Sequence, residues 1–363
     1  MGETRSRPRP RPPSPLVETG ASGGGLMSSG AEAQAPKEGP RPPTAHATIV
    51  VTTCDRPEVA TRAVASALRQ SEPRVEVLVV DDGVRDRVPM DMGDDRVRVI
   101  RTEGRIGVSR ARNVGLAEAK APWVSFLDDD DELLPTMVEE ALAAARGSSL
   151  PPPVAVVAGM EELDPEGFVL LTRIPVSMPR GRHYFLEDVA EKDRRGLAAY
   201  NTLFAPVDVV RGIGGFDEQM VASMHLDLML RLNAACSIQA VPRVGYRMYH
   251  HAEFRLSKQY RHRAESARRT HAKHREAFRQ HPRMEGMYLA RTGTFYLRAG
   301  EWLRPLGLTV RAFLRAPRRP RAMKQVLLAA AGPRFFAWYE ARKTRRAGGI
   351  WAPTSDDVSG RAR

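Results

Sequence analysis

A short apolar run, Trp123 to Leu127 (WVSFL), ends in four consecutive aspartates, Asp128 to Asp131. Such a run reads as a buried strand, and the carboxylates then fall at the carboxyl edge of a sheet. Two earlier runs end in a similar way. Ala47 to Thr53 (ATIVVTT) leads into Cys54-Asp55, and Val75 to Val80 (VEVLVV) stops at Asp81-Asp82-Gly83. Helical patterns separate the strands. Asp55-Arg56-Pro57 opens one with Ala60, Ala63, Val64, Ala67 and Leu68 on one face, Pro57 lying near its first position, where a missing N–H costs nothing. A second helix spans about Val108 to Ala119, after a strand at Val97 to Ile100. This alternation predicts a parallel α/β sheet of nucleotide-binding type.

Open sheets of this kind bind ligands beyond the carboxyl ends of their strands. Five or more carboxylates gathered there repel one another unless a cation sits among them. Oxygen ligands suit Mg²⁺ or Mn²⁺, ions commonly shared with a diphosphate. An acidic helix start before Glu132-Leu133-Leu134-Pro135 would also favour carboxylates, but four in a row exceed what a cap requires.

Further along, strands are expected at Val154 to Val157, Phe168 to Arg173 and Gln239 to Tyr249. A turn at Gly214-Gly215-Phe216-Asp217 marks a helix start, with an apolar helix at Leu226 to Leu232. Charge divides the chain more sharply than its net +13 suggests. Residues 45–254 hold 24 Lys+Arg against 32 Asp+Glu, whereas residues 255–346 hold 24 against 5, a net of +19. That last third reads as basic helices broken by Pro305, Pro317 and Pro320, with interleaved aromatic and aliphatic residues. It suits a phosphate-bearing partner, and a basic amphipathic helix can lie on an anionic membrane. A solvated helical cap on the catalytic domain is the other reading. Residues 1–44, with Arg7-Pro8-Arg9-Pro10-Arg11-Pro12-Pro13 and Gly23-Gly24-Gly25, read as a disordered tail, and residues 347–363 as a flexible one.

Two cysteines, Cys54 and Cys236, are too few for a disulfide scaffold, and no stretch reaches the ~18 apolar residues of a membrane span. No apolar signal region precedes the ordered part. A cytoplasmic protein is expected, at the inner face of the cell membrane if the basic third binds there.

In order and spacing across roughly residues 47–257, the motifs TIVVTTCDRP (48–57), VEVLVVDDG (75–83), GVSRARNVGL (107–116) and VSFLDDDDELLP (124–135) resemble a family 2 glycosyltransferase of bacterial type. GIGGFDE (212–218), LDLMLRL (226–232) and YRMYHH (246–251) complete the set. The resemblance implies a GT-A fold, a Rossmann-like nucleotide-binding sheet flanked by helices, over residues 45–254, followed by the basic helical extension at 255–346. It implies a hexosyltransferase-type enzyme, acting with inversion, that takes a UDP- or TDP-linked sugar to an acceptor hydroxyl with Mg²⁺ or Mn²⁺. The acceptor would be a glycan, lipid or small molecule, met by loops within residues 175–205. Nucleic acid is not an expected partner. A nucleotidyltransferase is disfavoured, because Thr52-Thr53-Cys54-Asp55 supplies no Gly-rich phosphate loop.

By the same resemblance, Thr53 and Asp55 line the nucleotide, and Asp82 accepts a hydrogen bond from its base. Arg112 and Asn113 lie on the helix closing over the nucleotide-sugar, although Arg112 would equally suit a carboxylate at the sheet edge. Asp128 and Asp130 form the Asp-x-Asp motif that meets metal and donor. His250 matches a position near the diphosphate–metal cluster, with His251 beside it as an alternative register. One position departs from the family. The helix after the Gly-Gly-Phe-Asp-Glu turn there begins Glu-Asp, the Asp acting as general base, and here Met224-His225 stands in their place. His225 is thus the candidate base, or else a shaper of the acceptor pocket in a silent nucleotide-sugar-binding module. Asp227, two residues on, is turned ~200° away around a helix.

Overall fold

The computed structural model describes residues 45–186, 189–190, 193–194, 196–250, 259–315, 317 and 320–346. The tails expected at 1–44 and 347–363, and His251, lie outside them.

Among the described residues the sheet is mixed and nine-stranded, and the first four expected strands form one half of it. β1 (Ala47–Thr53) pairs in parallel with β2 (Val75–Asp81) and with β4 (Trp123–Asp128), and β3 (Val97–Arg101) adds to β2. Beyond β4 the direction reverses. β8 (Leu203–Pro206) runs antiparallel between β4 and β6 (Val154–Leu163), and β9 (Ser237–Tyr249) lies parallel to β6. β5 (Glu132–Leu133) closes on β9, while β7 (Val169–Arg173) folds back on β6. β6 is ten residues long, well past the Val154–Val157 expected.

Central strands are apolar on both faces because both are covered. Ile49, Val51, Val77 and Val79 pack under α1 (Pro57–Leu68) and α3 (Met137–Arg146). Val50, Leu78 and Val80 pack under α2 (Val108–Glu118), α4 (Val207–Gly212) and α5 (Met224–Ala235). Helix α2 approaches so closely that a Cβ on Gly115 would stand 2.3 Å from Val50 Cγ1. The turn at Gly214–Asp217 opens no helix directly; α5 begins at Met224, after Ser223 in a left-handed conformation (φ 57°).

The basic third is helical as expected: α6 (Tyr260–Lys273), α7 (Arg275–Gln280), α8 (Pro282–Arg298), α9 (Leu303–Arg315), α10 (Pro320–Ala330) and α11 (Gly332–Arg346). Pro305 does not break α9; it occupies the first turn, where its missing N–H has no intrahelical acceptor. Leu226 and Leu230 of α5 join Leu186, Ala267, Phe278, Met284 and Tyr288 in one apolar cluster, which docks these helices on the sheet layer. Around it, Asp227 pairs with Arg231 (2.6 Å), His274 (2.7 Å) and Lys273 (3.0 Å), and Asp217 with Arg269 (3.0 Å) and Lys273 (3.1 Å). Among the described residues no helix is long and apolar enough to cross a membrane.

Candidate functional site

Because β1 lies between β2 and β4, the ends of all three strands meet at one edge. Of the four aspartates Asp128 ends β4, and the next two form a turn closed by Asp131 N donating to Asp128 O (3.1 Å). Asp128 and Asp130 keep 33% and 15% of their side-chain surface, whereas Asp129 and Asp131 are buried. The buried pair is structural. Asp131 accepts hydrogen bonds from Tyr246 Oη (2.6 Å) and Tyr249 N (3.1 Å), and burial holds its pKa well above the carboxylate range. Asp129 accepts from Thr53 Oγ1 (2.7 Å) and pairs with Arg56; burial pushes it up to about 7 against that pull. The outward pair faces arginines: Asp130 meets Arg56 Nη1 at 3.3 Å, and Asp128 pairs with Arg112 Nη2. Burial would raise Asp128, yet Arg112 and its neighbours hold it below the usual value.

Arg112 is buried at 2% exposure, its guanidinium over the Phe216 ring at 5.1 Å. Nη2 is spent on Asp128, while Nε and Nη1 have no hydrogen-bond partner among the described residues. Buried donors left unmatched are costly, so this is a place where an anionic ligand would be stabilising.

On the β2 side, two carboxylates organise backbone. Asp82 accepts from Thr102 Oγ1 (2.6 Å), Ile106 N (2.8 Å) and Gly107 N (2.9 Å), fixing the loop from β3 into α2. Asp55, itself left-handed (φ 55°), accepts from Val84 N (2.6 Å) and Arg85 N (2.7 Å) and pairs with Arg105 (2.7 Å). Those N–H groups, Arg85 first, bring its pKa down to about 2. Arg105 is left-handed too, at φ 51°. Strained non-glycine backbone at two partners of one ion pair marks a loop constrained by its surroundings.

His225, at the first turn of α5, stacks on Tyr200 (5.4 Å, 15°) and meets Phe216 edge-on (5.7 Å, 87°). Burial first, and then the charge of Arg112, lowers its pKa to about 3, against the pull of Asp128. The ring is therefore neutral at any physiological pH.

Two expected site residues have other partners. Asn113 takes Phe216 N on Oδ1 (2.8 Å) and gives Nδ2 to Phe216 O (2.9 Å), so it locks the Gly-Gly-Phe-Asp turn rather than presenting its amide to a ligand. A Cβ on Gly215 (φ 61°) would stand 2.4 Å from that Oδ1. His250 Nε2 bonds Glu162 Oε2 at 3.0 Å, and Glu162 is held in turn by Arg173 (2.6 Å), while the preceding Tyr249 N reaches Asp131 (3.1 Å). Among the described residues no three His, Cys, Asp or Glu side chains form a ready ion cage. This still fits Mg²⁺ or Mn²⁺, which commonly use one or two carboxylates and complete their shell with substrate phosphates and water. Arg56 and the aromatic frame of Tyr200 and Phe216 were not expected from the sequence; Arg56, next to a strand-end acid, is the one a local reading could have found.

Residues 48–150 match the family described as Glycosyl transferase family 2. The chain is 38% identical over 91 residues to the succinoglycan biosynthesis protein ExoO of Rhizobium meliloti, covering 24% of this chain and 26% of that protein. It is 34% identical over 77 residues to the glycosyltransferase GlyG of Streptococcus pneumoniae, covering 20% and 26%. The chain thus spans about a quarter of these relatives' lengths. Among solved structures, Staphylococcus aureus TarS 1-349 in complex with UDP-GlcNAc superposes with a TM-score of 0.55 at 15% identity, covering 83% of this chain and 92% of that one. TarS 1-349 alone gives 0.53, with 83% and 91% covered. That likeness is one of fold, the GT-A arrangement of a mixed sheet between helices. It is thus the segment 48–150 of the chain that is similar to glycosyl transferase family 2.

Proposed function

We propose that the protein transfers a sugar, with inversion, from a UDP- or TDP-linked donor to an acceptor hydroxyl at the aspartate edge. One observation carries the reading: a buried arginine with two unmatched donors stands beside outward carboxylates at the carboxyl ends of parallel strands. The TarS complex with UDP-GlcNAc supports a nucleotide-sugar as the occupant. Thr53, Asp55 and Asp82 would shape the nucleoside end, Asp82 through its loop and its remaining acceptor capacity. Asp128 and Asp130 would hold Mg²⁺ or Mn²⁺, whose chemistry is to neutralise charge on the departing diphosphate. Arg112 would orient that diphosphate through Nε and Nη1. His225 would take the acceptor's proton. A diphosphate drawing on Arg112 offsets the positive charge that depresses the imidazole, so donor binding would raise its basicity. The domain division at 254/255 and a peripheral place at an anionic membrane face belong to the same proposal; the net +19 of residues 255–346 supports the latter.

A second reading, a silent nucleotide-sugar-binding module, is favoured by the low basicity of the boxed-in His225. Thermal shift with UDP, TDP and UDP-GlcNAc, with Mn²⁺ or with EDTA, tests the site. Mn²⁺-dependent stabilisation by a nucleotide is expected, and Asp130→Ala should abolish it. Equal shifts in EDTA would remove the metal from the proposal. His225→Ala should then lower turnover by roughly 10²–10⁴-fold with donor affinity kept. If the parent binds donor without transfer or hydrolysis while His225→Asp turns over, the silent module is correct.

A further inference from the structure

Helices α9, α10 and α11 each have two apolar faces. The inner ones are occupied: Thr309 and Ala312 of α9, Ala329 of α10 and Phe336 of α11 are buried against α8 and one another. The outer ones are bare. On α9, Leu303, Val310 and Leu314 stand at i, i+7 and i+11, with Leu303 80% and Leu314 70% exposed. On α10, Met323 and Leu327 follow at i and i+4, Leu327 63% exposed, and on α11 Phe335 and Trp338 at i and i+3. These spacings put each set on one side of its helix. Trp302 joins the start of α9 to the α10–α11 junction, its indole donating to Ala329 O (3.1 Å) and lying 3.7 Å from where a Gly332 Cβ would be.

Single exposed apolar residues need no explanation, but successive stripes on three neighbouring helices do. Charge selects the partner. The stripes lie in a segment with a net +19, so a second copy of the same face would be repelled, whereas an anionic lipid surface is attracted. Arg342 over the Trp338 ring (5.4 Å) and Lys324 over Tyr339 (4.8 Å) set cations against aromatic side chains, as the headgroup region favours.

We propose that α9–α11 form an interfacial membrane face, whose apolar stripes enter the headgroup–acyl boundary of an anionic bilayer while arginine and lysine remain among the headgroups. The inference rests on the peripheral-membrane reading above and adds insertion to it. Attraction alone is screened at high salt; insertion is not.

The test uses the full chain with vesicles of phosphatidylcholine, alone or mixed equally with phosphatidylglycerol, at low and high NaCl, following co-sedimentation and tryptophan emission. The parent should bind the anionic vesicles, keep a salt-resistant share and shift its emission to the blue. The triple variant Leu303→Gln, Leu314→Gln, Leu327→Gln should lose about tenfold in partitioning, and with it the salt-resistant share, while melting as the parent does. Variant binding equal to the parent's at both salts overturns insertion and leaves electrostatic attachment standing. If the parent binds neither vesicle, insertion and the peripheral reading fall together. A parent dimer dissolved by the triple variant would assign the face to a second copy and overturn the proposal.

Discussion

Arg112 has two roles to fill. With Asp128 it closes an ion pair, and its two remaining nitrogens are buried without a hydrogen-bond partner among the described residues. A buried cation so placed is under-satisfied in the free protein, and ligand binding should recover the deficit. Arg112→Lys keeps the charge and loses the planar fork. It should weaken UDP-GlcNAc binding by about 10–100-fold, the equivalent of the ~1.5–3 kcal/mol of a charge-assisted hydrogen bond. Calorimetry giving an unchanged Kd would leave Arg112 as a strut for Asp128 and nothing more. At this scale the sequence was informative where the signal was local: four acids directly after an apolar run mark a strand end, and Asp128 and Asp130 are the less buried pair among them. It was uninformative where partners are remote. Asn113 meets Phe216 across 103 residues and His250 meets Glu162 across 88, and no nearby residue signals either bond.

Among the elements, α5 concentrates the most. Its first turn holds His225 against Tyr200, and two residues later Asp227 points away, as the helical turn requires, into a cluster of Arg231, Lys273 and His274. Burial would raise the Asp227 pKa, but the hydrogen bonds from His274 and Arg231 hold it well below the usual carboxylate range. A depressed folded-state pKa contributes stability that is present above the unfolded value of ~3.9 and is lost as pH falls through and below it. Asp227→Ala should therefore flatten the acid limb of the stability curve below about pH 5. At neutral pH it should cost toward the lower end of the ~3–5 kcal/mol for breaking a buried pair, since Lys273 is 35% exposed and screened. Chemical denaturation at pH 7 and pH 2 reads both effects; an equal loss at the two would deny the ion cluster its role. The parallel strands β1, β2 and β4 were legible because burial on both faces makes each a nearly continuous apolar run. Strands β8 and β5, of four and two residues, exist only through β4, β6 and β9, so they carry no period of their own.

For the whole molecule, the charge step at residue 255 is real in the sequence and absent from the mechanics. The docking cluster draws Leu226 and Leu230 from one side and Ala267, Phe278 and Tyr288 from the other. A chain ending at residue 254 should expose that apolar surface and leave Asp217 and Asp227 without Arg269, Lys273 and His274. Loss of a cooperative thermal transition on truncation is the expected outcome. A truncated chain melting within a few degrees of the parent would mean the sheet layer folds alone.

The same docking sets a rule for how such a chain can be remade. Asp217 ends the turn that Asn113 locks, and Asp227 lies on the helix bearing His225, so both flanks of that histidine's helix start take their cations from α6 and the α6–α7 junction. A chimera that exchanged the basic helices for another protein's would change the support of the proposed base without touching that residue. Under the proposed function and the proposed membrane face, substrate preference and membrane address would be mechanically linked, and recombination or design that altered one would inherit a change in the other.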